Sequence, residues 1–150
     1  MKILFIHQNF PGQYRALAPS MVKLVHEVMA ISSRKETSIQ GIPNICYESP
    51  RSSSKNIHPW LQSTEAAVIR GQAVAHSVEL LMKNGFVPDA IVGHAGWGEM
   101  QFVRQVAPQA RITSFCEYFY HGQGSDVDFD PEFPAAPDAM LRCHARNLHL

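Results

Sequence analysis

An unbroken apolar run, Ile3-Leu4-Phe5-Ile6, stands at the head of the chain. Such a run marks a strand covered on both faces, as the inner strands of a parallel sheet are. It predicts a central first strand over residues 2–7. After a turn at Pro11-Gly12, apolar positions fall at Tyr14, Leu17, Ala18, Met21, Leu24 and Val25. That spacing belongs to a helix with one buried stripe, and Pro19 inside it predicts a late start or a kink.

Residues 27–31 predict a second strand, 32–40 a polar loop, and 42–47 a short third strand interrupted at Pro43. Residues 49–56 read as a mobile connection. The longest helix opens at Pro59 and carries Trp60, Leu61, Thr64, Ala67, Val68, Gly71, Val74, Ala75, Val78, Leu81 and Met82 on its stripe. Asn84-Gly85 closes it with a left-handed cap. A fourth, buried strand over 90–93 leads into the loop His94 to Gly98, then a helix using Phe102, Val103 and Val106 that Pro108 stops. Residues 111–115 predict a fifth strand. From Cys116 to Pro134 the chain becomes an aromatic and acidic loop, and a last helix from near Pro137, with Met140, Leu141, Ala145 and Leu148, runs to the terminus without a cap.

Strands alternating with helices imply right-handed crossovers, hence an α/β fold: a Rossmann-like doubly wound parallel sheet with strand order 3-2-1-4-5. A chain of 150 residues builds one core, so a single domain is expected. The formal net charge is zero and the basic residues are scattered, which argues against nucleic-acid partners and against an anionic membrane surface. Cys46, Cys116 and Cys143 are odd in number and widely spaced, against both a disulfide framework and a thiolate zinc site. A reducing cytoplasm is the expected location. Apolar runs are too short for a transmembrane segment, so any contact of a full-length protein with the inner membrane is expected to be peripheral.

Ligands of open parallel sheets bind beyond the carboxyl ends of the strands, where the strand order reverses. That point lies between strands one and four and joins two loops, residues 7–13 and 93–99. Pro11, Gly12 and Gln13 in the first and Gly96 in the second allow a backbone to approach a ligand closely, and two helix starts would favour an anion. Neither Gly-x-Gly-x-x-Gly nor a P-loop is present, which disfavours a dinucleotide or a bound triphosphate. His94 directly follows a buried strand, so its ring should stand at the crevice mouth, able to donate a hydrogen bond or shuttle a proton. His7 and Glu117 could line the same crevice, Glu117 as a base or hydroxyl acceptor, or be structural. Trp97, Tyr118, Phe119 and Tyr120 could stack on sugar rings or simply form the core edge. The run Asp126-Val127-Asp128-Phe129-Asp130 lacks the residues of a calcium loop and reads as a solvated acidic loop. His58, His94 and His121 with Glu117 offer no local ligand pair for zinc, so no metal is expected. No serine lies in a nucleophile elbow, and no cysteine shows activation.

The opening residues 1–14, the stretch Ile57-His58-Pro59-Trp60 with Glu65 and Arg70-Gly71-Gln72-Ala73, the block 88–99 and residues 118–133 together resemble the N-terminal domain of bacterial family 4 glycosyltransferases. The resemblance implies the N-terminal, acceptor-side half of a GT-B architecture. It also implies transfer of a sugar from a nucleotide-sugar donor to a sugar or lipid-linked acceptor, with retention of configuration. No metal and no cofactor beyond the donor substrate are implied. By that resemblance Gly12 lies near the donor diphosphate and His94 contacts the donor sugar. His94 and Glu117 are then the catalytic candidates, Pro11, Gly12, Gln13 and Gly96 the donor-phosphate loops, and His7, Trp97, Tyr118 and His121 the acceptor side. The family's nucleotide-gripping glutamates, eight positions apart, belong to a C-terminal domain, and no pair here has that separation. The expectation is a truncated hexosyltransferase over residues 1–150, inactive without its C-terminal nucleotide-sugar-binding domain. The competing expectation is a self-sufficient domain that binds a small anion or regulates. One departure from the family stands at Lys23-Leu24-Val25-His26-Glu27, where many relatives have glycine before the histidine.

Overall fold

The strand β1 (Lys2–Ile6) can be apolar throughout because each face of it finds cover. Leu4 and Ile6 point to one side of the sheet, where they pack with Ile31, Val74, Val78, Leu81 and Ile91. Ile3 and Phe5 point to the other, among Phe10, Tyr14, Ala18, Val28 and Ile42. This is the period of two expected of a strand, applied to a two-sided core. Full burial of Leu4, Phe5 and Ile6 stabilises the fold by about 2 kcal/mol each.

The computed structural model describes residues 1–36, 39–117, 119–125 and 127–150. Within them β2 (Glu27–Ser32), β3 (Asn44–Cys46), β4 (Ala90–His94) and β5 (Arg111–Phe115) join β1 in one five-stranded sheet. The order is β3-β2-β1-β4-β5, and every neighbouring pair is parallel. The Rossmann-like arrangement expected from the sequence is therefore present, with the order reversing between β1 and β4. β5 is an edge strand: Ile112 is half-buried, its other residues are exposed, and among the described residues nothing pairs with its outer side.

The helices are α1 (Leu17–Lys23), α2 (Gln62–Lys83), α3 (Val103–Val106) and α4 (Ala139–Arg146), with 3-10 turns at Gly12–Arg15 and Pro59–Leu61. α1 does start late, so that Pro19 falls in its first turn, where a missing N–H costs nothing. Its expected stripe is only half right. Tyr14 and Ala18 are buried, whereas Leu17, Leu24 and Val25 are 43%, 63% and 90% exposed. For Leu24 and Val25 the reason is length: the helix ends at Lys23, and both belong to the turn into β2. α2 follows its predicted face closely, burying Ala67, Gly71, Val74, Ala75, Val78 and Leu81, with Ile69 buried in addition. Gly85, at φ 94°, caps it: Gly85 N–H donates to Met82 O and Phe86 N–H to Leu81 O.

Three further expectations need correction. The helix after β4 is a single turn, Val103–Val106, and residues 99–102 form turns ahead of it, so the second loop does not run into a helix start. The connection over 49–56 is tied down: Glu65 of α2 accepts from Ser54 N–H at 2.8 Å and from Arg51 Nη1 at 2.8 Å, which holds its carboxyl below the usual pKa. The last helix ends at Arg146 with Asn147 as its cap residue. The Asn147 amide accepts from Tyr120 N–H at 3.0 Å and donates to Tyr120 O at 2.8 Å, clipping α4 to the segment that follows β5. No helix among the described residues is long and apolar enough to cross a membrane.

Candidate functional site

At the carboxyl end of β1 and β4 two histidines leave adjacent strands and meet edge to face, their ring centroids 5.5 Å apart. Ile6 pairs with Gly93 in the sheet, so the residues that follow each, His7 and His94, emerge side by side. Both are almost fully buried, His7 at 5% and His94 at 3% exposure. Each is held the same way: Nδ1 accepts the backbone N–H two residues on, Asn9 for His7 at 2.9 Å and Gly96 for His94 at 3.1 Å. A ring whose Nδ1 accepts carries its proton on Nε2, so both rings turn an N–H away from their own loop.

Glycine makes room for these rings. A Cβ on Gly12 would stand 2.5 Å from His7 Cε1, and one on Gly96 would stand 2.8 Å from His94 Cε1. Each loop glycine is thus the floor beneath a histidine. The amides of the two glycines are used within their own loops, Gly12 N–H donating to Asn9 O at 3.0 Å and Gly96 N–H to His94 Nδ1 at 3.1 Å. Pro11 is buried, and Gln13 is exposed and reaches across the crevice.

The partner of His94 is Glu117, just beyond β5, with Nε2 and Oε2 2.9 Å apart. Gln13 Nε2 donates to the same oxygen at 3.2 Å, so loops from β1, β4 and β5 converge on one carboxylate. Oε1 of Glu117 has no hydrogen-bond partner among the described residues, and the side chain is 43% exposed. The arrangement is a buried imidazole fixed in one tautomer and a half-exposed carboxylate with one oxygen open to a ligand hydroxyl, which suits proton transfer or hydroxyl recognition. Burial holds the pKa of His7 below its ordinary value, against the hydrogen bond that its ring donates to Gln13, and the neighbouring His94 lowers it further. Trp97, 48% exposed, stacks on His94 with centroids 6.3 Å apart and planes 24° from parallel, presenting aromatic surface at the mouth.

Behind the loop lies a network that sequence reasoning missed. Glu99 is 1% exposed; the Tyr47 hydroxyl donates to its Oε1 at 2.7 Å, and Arg70 Nε lies 4.0 Å from the same atom. Arg70 Nε donates to the Trp97 carbonyl at 2.7 Å, so α2 fixes the backbone that presents Trp97. Burial first, then the Glu99 charge, pushes the Tyr47 hydroxyl far above its usual pKa, keeping it a donor. No local pattern announces such a contact, although Arg70 stood in one of the resemblance blocks.

A pocket of about 410 Å³ opens here, lined by Arg70, His94, Trp97, Glu117, Arg146 and His149 among others. Of the sequence candidates, His94, Gly96, Trp97, Glu117 and Tyr120 share this pocket, with His7, Gly12 and Gln13 adjoining through the contacts above. His121 does not: it is exposed beside Met140 and His144 on the far side of α4. Tyr118 and Asp126 lie outside the described residues. His58 is also elsewhere, its Nδ1 accepting Trp60 N–H at 3.3 Å at the start of the turn before α2. Among the described residues no three His, Cys, Asp or Glu side chains are grouped so as to hold a metal ion.

No curated protein and no solved structure matches the chain. Residues 25–150 match the family described as the glycosyl transferase family 4 group. That span includes His94, Gly96, Trp97, Glu99 and Glu117 and leaves the loop after β1 outside. A parallel α/β sheet with its site at the reversal of strand order is consistent with one half of a GT-B enzyme, and with the match over most of its length the chain belongs to the glycosyl transferase family 4 group.

Proposed function

We propose that this chain is the acceptor-side domain of a retaining glycosyltransferase that uses a nucleotide-sugar donor and a sugar or lipid-linked acceptor. The observation that carries the reading is the dyad of buried His94 and half-exposed Glu117, with one carboxylate oxygen open at the switch point of the sheet. In this reading the donor sugar lies over His94, and its diphosphate runs along the turn Pro11, Gly12, Gln13 and past Gly96. As the bond from the anomeric carbon to the diphosphate breaks, the acceptor oxygen bonds to that carbon. Glu117 accepts the hydroxyl proton or hydrogen-bonds the hydroxyl, and the nucleoside diphosphate leaves. His7 and Trp97 form the acceptor wall, Trp97 as a stacking surface for a sugar ring. Tyr118 and His121 were assigned to the same wall; the exposed place of His121 behind α4 gives it no support.

A C-terminal domain that grips the nucleotide and closes over this crevice completes the site, and the chemistry proceeds without a metal. The protein acts in the cytoplasm, with any membrane contact peripheral. The test is turnover of UDP-, GDP- and ADP-sugars by the full-length protein beside the 150-residue chain. Turnover confined to the full-length protein is expected. Catalysis by residues 1–150 alone would overturn the half-enzyme reading, and saturable binding of a small anion with no transfer by either would favour a self-sufficient binding domain.

A further inference from the structure

Two arginines from distant parts of the chain line the pocket beside His94, Arg70 from α2 and Arg146 from α4, and their donors are incompletely used. Arg70 spends Nε on the Trp97 carbonyl, while its two terminal nitrogens have no hydrogen-bond partner among the described residues. Its nearest carboxylate, Glu99, is already bonded by Tyr47 at 2.7 Å and stands 4.0 Å away. Arg146 lies over the Tyr120 ring, 5.2 Å from its centroid, with no carboxylate within ion-pair distance among the described residues. A guanidinium stacked on an aromatic face keeps its donor edge for another group. His149, in the same pocket, sets Nε2 3.4 Å from Gly96 O and leaves a buried Nδ1 without a partner. Buried polar atoms are normally bonded, so an unbonded one inside a pocket points to a ligand. Glu117, which also lines the pocket, has its Oε2 engaged by His94 and Gln13.

We propose that this pocket recognises an anionic group, phosphate or carboxylate, on the acceptor, with Arg70 and Arg146 as its cationic contacts and His149 Nδ1 accepting from a hydroxyl of the same molecule. The placement of an acceptor in this crevice rests on the glycosyl-transfer reading. Planar guanidinium groups pair with either anion through two parallel hydrogen bonds, which is why the chemistry is shared between the two sources.

The test is an NMR titration of the ¹⁵N-labelled 150-residue chain with inorganic phosphate and, separately, with acetate at constant ionic strength. Saturable shifts of Gly96, Trp97 and the Arg70 Nε–H signal are expected, and Arg146→Gln on exposed α4 should weaken binding about tenfold, the usual effect of losing one charged hydrogen bond. Arg15→Gln, on the opposite side of the sheet, should leave it unchanged. Tighter binding of phosphate identifies a phosphorylated acceptor, and tighter binding of acetate a carboxylated one. Shifts that fail to saturate, or an affinity indifferent to Arg146→Gln and Arg70→Lys alike, would overturn the proposal. Because binding is read without turnover, that failure is separate from failure of the transferase reading, which would show as absent transfer with anion binding intact.

Discussion

Val25 occupies a left-handed conformation, φ 61°, at the end of α1, where Val25 N–H donates to Val22 O and His26 N–H to Met21 O. These are the same two bonds that Gly85 and Phe86 make at the end of α2. A β-branched residue there crowds its own carbonyl, and at 90% exposure its side chain recovers little by burial. Val25→Gly should therefore stabilise the protein by about 1 kcal/mol after the extra chain entropy of glycine is counted, raising Tm by about 2–4 °C in calorimetry. A lowered Tm would contradict the assignment of strain. His7 gives a pH dependence. Its pKa in the fold is lowered by burial, so the unfolded chain binds a proton more readily than the folded one. Stability should then fall as pH drops below about 6.5, by at most about 1.4 kcal/mol per unit from this group, and level off below the folded pKa. Urea denaturation of His7→Gln between pH 5 and 8 should show a shallower fall than wild type; parallel curves would exclude His7 as the source. Tyr47→Phe removes a donor from the buried Glu99 carboxylate and should cost about 2–4 kcal/mol in the same measurement, with a loss near zero counting against that network.

The clip between Asn147 and Tyr120 makes α4 part of the pocket wall rather than a loose tail. Asn147→Ala should speed amide exchange across residues 139–146 by about tenfold, the effect of losing about 1–2 kcal/mol of local stability, and leave β1 and β4 protected. Uniform exchange throughout the sheet as well would show that α4 opens only with the whole domain. β1, β4 and α2 were legible because their apolar patterns reflect burial that nothing else in the chain could satisfy. The strand order followed from alternation of strands and helices. α1 and α3 were less legible, since the sequence pattern continues through Leu24 and Val25 after the backbone has turned, and the turns at 99–102 carry apolar residues like those of a helix. In both cases the deciding contacts are local backbone hydrogen bonds, to which hydrophobic spacing is blind.

Across the whole molecule, the site was legible to the extent that it follows from topology. His94, Glu117, Gln13 and Trp97 each sit at or just beyond the carboxyl end of a strand, and the reversal of strand order brings those ends together. What stayed hidden joins parts of the chain that no period connects: Tyr47 to Glu99 across 52 residues, Arg70 to Trp97 across 27, and His149 to Gly96 across 53. The loop glycines carry a role that spacing does not announce, since they back onto the rings of His7 and His94. Membership of the glycosyl transferase family 4 group supports glycosyl transfer as the class of chemistry, and the proposed function rests that chemistry on His94, the buried partner of Glu117. The most direct measurement is the initial rate of sugar transfer by the full-length protein with His94→Ala, at saturating nucleotide sugar and with folding verified by circular dichroism. A fall in kcat of about 10²-fold or more is predicted, the usual loss on removing a group that stabilises charge or moves a proton at the reacting centre. An unchanged kcat in a folded variant would contradict the account.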